Sequence, residues 1–154
     1  MKRILPILVV AATLLVLGAC GPVRKSVFPP LVSVQQLHVT ADGQWKMQVR
    51  IQNNSYTGVL FTGLDLHMKI DGKNAGRILA KIHLDIPALS VDIADVTIAP
   101  SAQAARALAK NAAVSYSLAG TATALPDQDT STRIFKVQGK DWFSPVPGLV
   151  DTWR

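Results

Sequence analysis

The sequence predicts an all-β protein: an immunoglobulin- or fibronectin-like sandwich of about seven strands, with one short helix near residues 101–110. Several segments alternate apolar and polar residues with a period of two, which indicates half-buried strands. Val, Ile, Thr and Ser are abundant, and all ten acidic residues are Asp, so Glu, a good helix former, is absent. This composition favours strands and turns over helices, and the length suits one domain.

The first nineteen residues are organised as a secretory signal peptide. Lys2 and Arg3 provide a positive start, residues 4–16 form an apolar core, and the small residues Gly18 and Ala19 follow. The apolar core is shorter than the roughly 20 residues that a membrane-spanning helix needs. We therefore expect residues 1–19 to be removed.

Cys20, the only cysteine, closes the segment "LGAC", which resembles the bacterial lipobox. The resemblance implies a bacterial lipoprotein in which Cys20 carries a diacylglycerol on sulfur and, after cleavage, an acyl chain such as palmitate on its new amine. Each buried CH₂ contributes about 0.8 kcal/mol, so several chains together anchor a protein stably in a membrane. The alternatives are an uncleaved anchor helix or a secreted protein with an incidental cysteine. We expect no cofactor other than this covalent lipid.

The residue after Cys20 bears on the location of the protein. In Gram-negative lipoproteins an aspartate there implies retention in the inner membrane, whereas this chain has Gly21. The resemblance therefore favours the cell outer membrane, on its periplasmic face. We expect residues 20–30 to form the lipidated cysteine and a proline-stiffened linker, and residues 31–154 to form the domain with a C-terminal tail.

The predicted first half of the domain begins with a strand directly after Pro30, in "LVSVQQLHVT", and continues with three alternating runs. Residues 45–52 and 64–70 each place every second, apolar side chain inward, and residues 78–86 do the same. The turn signal Asp71-Gly72 separates the second run from the third, so these two runs are predicted to form a hairpin.

The second half contains the predicted helix. Residues 91–98 change phase at Ala94-Asp95, which predicts a β-bulge. Ser101 is a good N-cap for the alanine-rich helix and Asn111 can end it. Strands are then predicted near residues 114–124 and 133–139, followed by an irregular tail over residues 140–154.

Three segments resemble a known family, the late-embryogenesis-abundant group-two family with its WHy (water stress and hypersensitive response) domain. They are "VRIQNNSYTGVLFTGLDLHMKIDGK", "LDIPALSVDIADVTIAP" and "YSLAGTA". The family pattern has Asn-Pro-Asn, an aspartate- or asparagine-glycine turn, Ile-Pro-Ala and Tyr-Ser-Leu-x-Gly. Here Asn53-Asn54 lacks the proline, whereas the other three motifs are present, and the resemblance covers about residues 31–138.

The resemblance implies a sandwich of about seven strands with a helix between two of them, and a non-catalytic role in desiccation tolerance or another stress response. Bacterial members are often lipoproteins. The expected protein is therefore a membrane-anchored envelope lipoprotein that binds or protects other molecules under water stress. The alternative is a lipid-binding carrier or tether in outer-envelope maintenance, because the strands are so rich in apolar residues.

No residue pattern points to an enzyme. The chain has no Gly-x-Ser-x-Gly elbow, phosphate loop or dinucleotide fingerprint. Its basic residues are scattered rather than clustered beside aromatic residues, which argues against a nucleic-acid partner.

The histidines are the remaining candidates for a metal or catalytic site. The predicted hairpin places His67 and His83 on its outer face, with Asp65 and Asp85 near them. A register that pairs His67 with His83 makes a weak zinc or copper site feasible, whereas one that pairs Asp65 with His83 gives an exposed ion pair. Metal sites usually collect three or four ligands, so we expect no metal site.

Two aromatic regions are candidate contact surfaces for an unidentified protein or lipid partner. The candidate residues are Tyr56, Leu60, Phe61, Trp142, Phe143 and Trp153. Large aromatic side chains are more often buried, so packing over the ends of the sandwich is the favoured interpretation. An exposed patch for a partner protein, a lipid tail or the membrane is the alternative.

Overall fold

A computed structural model describes residues 23–110 and 113–154. The predicted signal peptide, Cys20 and Asn111 lie outside the described residues. The elements in chain order are β1 (Leu31–Val39), β2 (Trp45–Gln52), β3 (Val59–Ile70), β4 (Lys73–Ile86), β5 (Val91–Ile98), α1 (Ala102–Lys110), β6 (Val114–Pro126), β7 (Arg133–Phe143) and β8 (Thr152–Trp153).

The strands form two four-stranded antiparallel sheets, with the orders β5-β2-β1-β8 and β4-β3-β6-β7. We call them the first and the second sheet. Their inner faces share one core, so the prediction of an all-β sandwich is confirmed. The arrangement differs from the constant-type immunoglobulin domain, in which the fourth strand belongs to the first sheet. Here β4 extends the second sheet beyond β3.

The predicted inward and outward positions of β2 and β3 are confirmed. In β2 the alternation buries Trp45 and Ile51 and leaves Lys46 exposed. In β3 it buries Leu66 and leaves His67 in solvent. The core therefore follows the period-two pattern of the sequence, because successive strand side chains point to opposite faces of a sheet.

The predicted hairpin is the β3–β4 pair. Ile70 and Lys73 flank its turn, and both turn residues have positive φ, 48° at Asp71 and 76° at Gly72. This is the pattern of a type I′ turn, which matches the twist of the two strands. β4 is an edge strand, so its predicted inward residues Ala80, Ile82 and Leu84 are only partly buried.

The predicted β-bulge at Ala94-Asp95 is wrong. β5 pairs with β2 in an unbroken register from Val91 to Ile98. The buried positions of β5 are Ala94, Val96 and Ile98, while Val91 is exposed. Strands favour β-branched residues such as valine on either face, so the valine at position 91 does not mark an inward position.

The predicted irregular tail contains two strand segments. The end of β7 extends to Phe143, four residues beyond the predicted strand, and β8 adds an eighth strand at the edge of β1. A backbone pair between Ser144 and Arg154 closes the loop that joins them. Cross-strand partners far away in the sequence supply this order, which explains why no local pattern predicted it.

The helix α1 begins as predicted. The Ser101 hydroxyl accepts a hydrogen bond from the Ala104 N–H at 3.2 Å, which caps the helix. The hydroxyl also donates to the Asn74 carbonyl at 2.6 Å, so the cap fixes α1 beside the start of β4. In the part of the chain that the structure describes, no helix is long and apolar enough to cross a membrane.

Candidate functional site

The loops that surround Ser55 form one end of the sandwich. They comprise residues 53–58, 87–90 and 127–132, together with the N-terminal segment 23–30, and we call this region the Ser55 end. The opposite end holds the loop 40–44, the turn at Asp71-Gly72 and the tail from Trp142 onwards, and we call it the Trp142 end. β3 runs the full distance between the two ends, through twelve residues.

Asn53 joins two loops at the Ser55 end from a buried position. Its side-chain amide nitrogen lies 2.9 Å from the Thr57 carbonyl and 3.0 Å from the carbonyls of both Ile86 and Pro87. Its side-chain oxygen accepts from the Ser55 N–H at 2.9 Å. A side-chain amide has two N–H groups, so three carbonyls share two donors. The motif around Asn53 and the Ile-Pro-Ala motif, which lie far apart in the sequence, therefore meet at this side chain.

Asn53-Asn54-Ser55 also matches a glycosylation acceptor in sequence. The Asn53 side chain is only 1% exposed, and both of its polar atoms are hydrogen-bonded inside the protein. The folded protein consequently has no free Asn53 amide at which a sugar could be attached.

Ser55 connects the N-terminal segment to the same end. Its hydroxyl accepts from the Phe28 N–H at 3.0 Å and lies 3.3 Å from the Phe28 carbonyl, and the Tyr56 N–H donates to the Ser26 carbonyl at 3.0 Å. The Lys25 backbone exchanges two further hydrogen bonds with the Gln128 side chain. Residues 25–28 of the predicted linker are therefore held against the domain rather than extending freely from it.

Among the apolar side chains exposed at this end, three belong to residues whose backbone is hydrogen-bonded within this network, and we call them the rim: Phe28, Tyr56 and Leu89. The Phe28 and Tyr56 rings pack edge to face with centroids 6.0 Å apart, yet the two residues remain 45% and 55% exposed. Leu89 is 64% exposed, and its N–H donates to the Ser55 carbonyl at 3.2 Å. All three side chains thus project from backbone that is fixed to Ser55 or its neighbour.

The backbone at Leu89 is strained. Its φ is 56°, in the left-handed region that favours glycine, at the third position of a turn closed by the Ser90 N–H and the Pro87 carbonyl. A non-glycine residue is rare in this conformation, and here the leucine side chain gains little burial in exchange. Packing therefore does not explain why leucine occupies this position.

The six sequence-predicted contact residues lie at both ends and do not form one surface. Tyr56 and the half-buried Leu60 lie at the Ser55 end, whereas Phe61, 1% exposed, belongs to the core. Sequence reasoning missed Phe28, which it assigned to the linker, and Leu89, for whose backbone conformation the sequence has no signal.

The other three predicted contact residues lie at the Trp142 end. Phe143 is buried and stacks on Tyr116 with ring centroids 4.3 Å apart. Trp153 in β8 is partly buried against the core, and Trp142 is 61% exposed. Phe143 therefore offers no surface to a partner, and Trp142 is the main exposed aromatic residue at this end.

Tyr116 and Gly120, the first and last residues of the Tyr-Ser-Leu-x-Gly motif, both serve contacts between strands. The Tyr116 hydroxyl accepts from the Val34 N–H at 3.0 Å, next to a bulge in β1, and so ties the two sheets together. Burial raises the pKa of this hydroxyl. A Cβ on Gly120 would lie 2.0 Å from the Asp65 carbonyl oxygen, so only glycine fits there without a shift of β3.

A shallow trough of about 480 Å³ follows β6 on the outer face of the second sheet. The small side chains of Ser117 and Ala119 form its floor. The longer side chains of His67, Lys69 and Lys140 line its sides. Beside it Arg77 holds Asp65 through a two-point ion pair, and this hydrogen-bonded contact lowers the pKa of the Asp65 carboxyl. The trough is open and presents positive charge to solvent.

Neither histidine arrangement considered for the hairpin occurs. His67 pairs with Arg77, and Asp65 pairs with Leu79, because the β3–β4 register places His83 near the opposite end of β3. Within residues 23–110 and 113–154, no three potential metal ligands of the His, Cys, Asp or Glu type come together.

No protein-family model and no curated protein matches the chain. Among solved structures, it is similar to the solution structure of AT1g01470 from Arabidopsis thaliana, with a TM-score of 0.51 and 13% identity over 86% of this chain and 88% of that one. It also aligns with a crystal structure of a protein from Archaeoglobus fulgidus, with a TM-score of 0.45 and 13% identity over 79% of this chain and 98% of that one. At 13% identity, the similarity to the Arabidopsis structure shows a shared sandwich fold alone.

Proposed function

We propose that this chain is a non-catalytic lipoprotein of the cell envelope, anchored through Cys20 in the periplasmic face of the outer membrane. Its WHy-like sandwich acts in water-stress tolerance by binding or protecting other molecules. The lipobox-like "LGAC" segment supports the anchor. The buried Asn53 network supports the family resemblance and carries the proposal. It connects the Asn53-Asn54 motif by hydrogen bonds to the Ile-Pro-Ala motif, although the two lie far apart in the sequence.

The family-like motifs form contacts that hold the sandwich together rather than a reaction centre. Asn53 holds the Ile86-Pro87 segment, Tyr116 joins the two sheets, and Gly120 lets β3 approach β6. A catalytic site needs groups that converge on a substrate within hydrogen-bond reach of one another. The motif residues are instead occupied by contacts within the fold, which supports a binding or protective module.

The anchor is tested by replacing the thiol. Cys20→Ser should abolish incorporation of labelled palmitate, because a hydroxyl is a far weaker nucleophile than a thiolate. The unlipidated precursor should also keep residues 1–19, since cleavage in this pathway follows lipidation. Gly21→Ala, which leaves the thiol intact, is the matched control and should be labelled like the wild type. Palmitate on the serine variant, or none on the wild type, would show that Cys20 is not the anchor.

The stress role is tested with a deletion strain. We expect it to lose viability after drying or osmotic shock, and a plasmid copy of the wild-type gene to restore survival. A copy carrying Cys20→Ser should restore it poorly, because the domain is no longer held at the membrane. Equal survival of the deletion and wild-type strains in both treatments would refute the stress role.

Native mass spectrometry distinguishes this role from the lipid-carrier alternative. The domain (residues 21–154), secreted without the acylated cysteine and isolated under gentle conditions, should give the mass of the protein alone. A mass increase that matches a co-purifying lipid would favour the carrier function. The same preparation treated with detergent is the control, because it should release a bound lipid and leave any covalent modification in place.

A further inference from the structure

We propose that the rim formed by Phe28, Tyr56 and Leu89 rests on the bilayer surface, so that the sandwich stands with its Ser55 end on the membrane. This inference rests on the proposed lipid anchor at Cys20 and adds a second, non-covalent membrane contact. The occupant of the rim is the headgroup region of the same membrane that holds the acyl chains.

The hydrogen bonds of the N-terminal segment limit how far the anchor can lie from the Ser55 end. The Lys25 N–H donates to the Gln128 side chain at 2.8 Å, and the Ser26 carbonyl accepts from the Tyr56 N–H at 3.0 Å. Five residue steps separate Cys20 from Lys25, and each spans at most about 3.6 Å, so the fixed part of the chain lies within roughly 18 Å of the anchored cysteine. The Trp142 end lies a further ~36 Å away, because β3 spans the distance between the two ends at about 3.3 Å per residue.

A tether of this length would also let the domain lie on its side, and the surface chemistry favours the upright orientation. The outer face of the second sheet also exposes Leu79 and Ile134, but they lie on its two opposite edge strands, β4 and β7. Charged residues such as Lys69, which prefer bulk water to the acyl boundary, lie between them. The rim instead exposes two aromatic rings and a leucine. Tyrosine is enriched at membrane interfaces because its ring is apolar and its hydroxyl can remain hydrated.

Leu89 supplies an independent observation. The turn holds it in the left-handed conformation with most of its side chain in solvent. A costly backbone conformation that persists without a packing gain points to a function of the side chain outside the fold. The folded domain leaves this leucine exposed, whereas insertion into the headgroup boundary would bury it.

The charges at the Ser55 end are compatible with an anionic membrane. Arg24 and Lys25 are exposed immediately before the docked segment, and basic residues close to a membrane are attracted to anionic headgroups. Of the acidic residues nearby, Asp129 is paired with Arg133 at 2.5 Å, which reduces its repulsion of the surface. Asp127 remains as an opposing charge, together with the exposed Asp85 and Asp92 in the adjoining strand ends, so the apolar rim rather than the net charge defines the contact.

The test uses the full lipidated protein in vesicles of phosphatidylethanolamine and phosphatidylglycerol. Since Cys20 is the only native cysteine and carries the lipid, single cysteines can be introduced by Tyr56→Cys or Leu89→Cys and labelled with an environment-sensitive fluorophore. Asp42→Cys, in an exposed loop at the Trp142 end, is the matched control. We expect lipids with nitroxide headgroups to quench the labels at the rim several-fold more than the control label.

A second pair of variants tests the role of the leucine. Leu89→Asp should reduce the quenching of a label at position 56 at least twofold, because a charged side chain opposes contact with the acyl boundary. Val150→Asp, at a still more exposed position of the Trp142 end (81% against 64%), should leave that quenching unchanged. An effect of the same size from both variants would overturn the proposed contact.

Palmitate content, measured before reconstitution, separates the two possible failures. Lipidated protein with equal quenching at positions 42, 56 and 89 would overturn the orientation and leave the anchor intact. Protein without palmitate would remove the anchor itself, and the orientation with it.

Discussion

At the Trp142 end of the sandwich, the aromatic ring of Phe143 stacks on Tyr116 inside the core, whereas at the Ser55 end the rings of Phe28 and Tyr56 pack on each other at the surface. The rings of Phe143 and Tyr116 are buried in the core. The other two rings are attached to loops that a buried network around Asn53 and Ser55 holds in place. Aromatic content alone therefore does not distinguish a packed end from an available surface, because the distinction depends on which strands cover each ring.

Phe143→Ala should have the largest effect on stability. It removes a fully buried ring and leaves a cavity beside Tyr116, so we expect a loss of about 3–5 kcal/mol in the free energy of unfolding, measured by urea titration. Trp142→Ala, one residue earlier and exposed, should cost less than about 1 kcal/mol. Similar losses for both variants would mean that the two rings are equally buried.

Asn53→Ala tests whether the opposite end depends on hydrogen bonds rather than on buried rings. The substitution leaves the carbonyls of Thr57, Ile86 and Pro87 without the Asn53 donor, and we expect a loss of about 2–3 kcal/mol. Asn54→Ala is the matched control, because that half-buried side chain makes only peripheral contacts, and it should cost below about 1 kcal/mol. Faster amide exchange in residues 53–58 should accompany the first substitution only.

Tyr116→Phe separates the stacked ring from its hydroxyl. The ring contact with Phe143 survives, but the Val34 N–H loses its acceptor, so we expect a loss of about 1–2 kcal/mol near neutral pH. Burial raises the pKa of Tyr116 in the folded state above the unfolded value of about 10.0. The stability that depends on its protonated hydroxyl is therefore complete below pH 10 and is lost as the pH rises beyond it.

The measurement is the difference in unfolding free energy between wild type and Tyr116→Phe from pH 7 to pH 11. Groups that the two proteins share contribute equally and cancel in this difference. The wild-type advantage should decrease above about pH 10. An advantage that stays constant up to pH 11 would contradict the coupling between burial and ionisation.

Leu89→Gly should have the smallest effect, and in the opposite direction. Glycine adopts the positive φ of this position without strain, so we expect a gain of up to about 1 kcal/mol in thermal or urea unfolding. Ala88→Gly, at the preceding position of the turn, has no positive φ to relieve and should not stabilise the protein. Destabilisation by Leu89→Gly would mean that the leucine contributes to packing after all.

The sequence by itself determined the features that depend on neighbouring residues. The period-two patterns of β2 and β3 placed Trp45 and Leu66 inward, Asp71-Gly72 predicted the hairpin turn, and Ser101 predicted the start of α1. Each of these depends on backbone preferences or side-chain alternation within a few residues, so a local pattern is sufficient. The lipid anchor at Cys20 is likewise a prediction from local sequence.

The tertiary structure decided the features that depend on contacts between distant segments. The β3–β4 register paired His67 with Arg77, and the pairing of β7 with β6 buried Phe143 while leaving its neighbour Trp142 exposed. Docking of the N-terminal segment on Ser55 brought Phe28 next to Tyr56. A sequence pattern gives the side of a strand on which a residue lies, but not the segment that covers that side, because that choice follows from the packing of the whole chain.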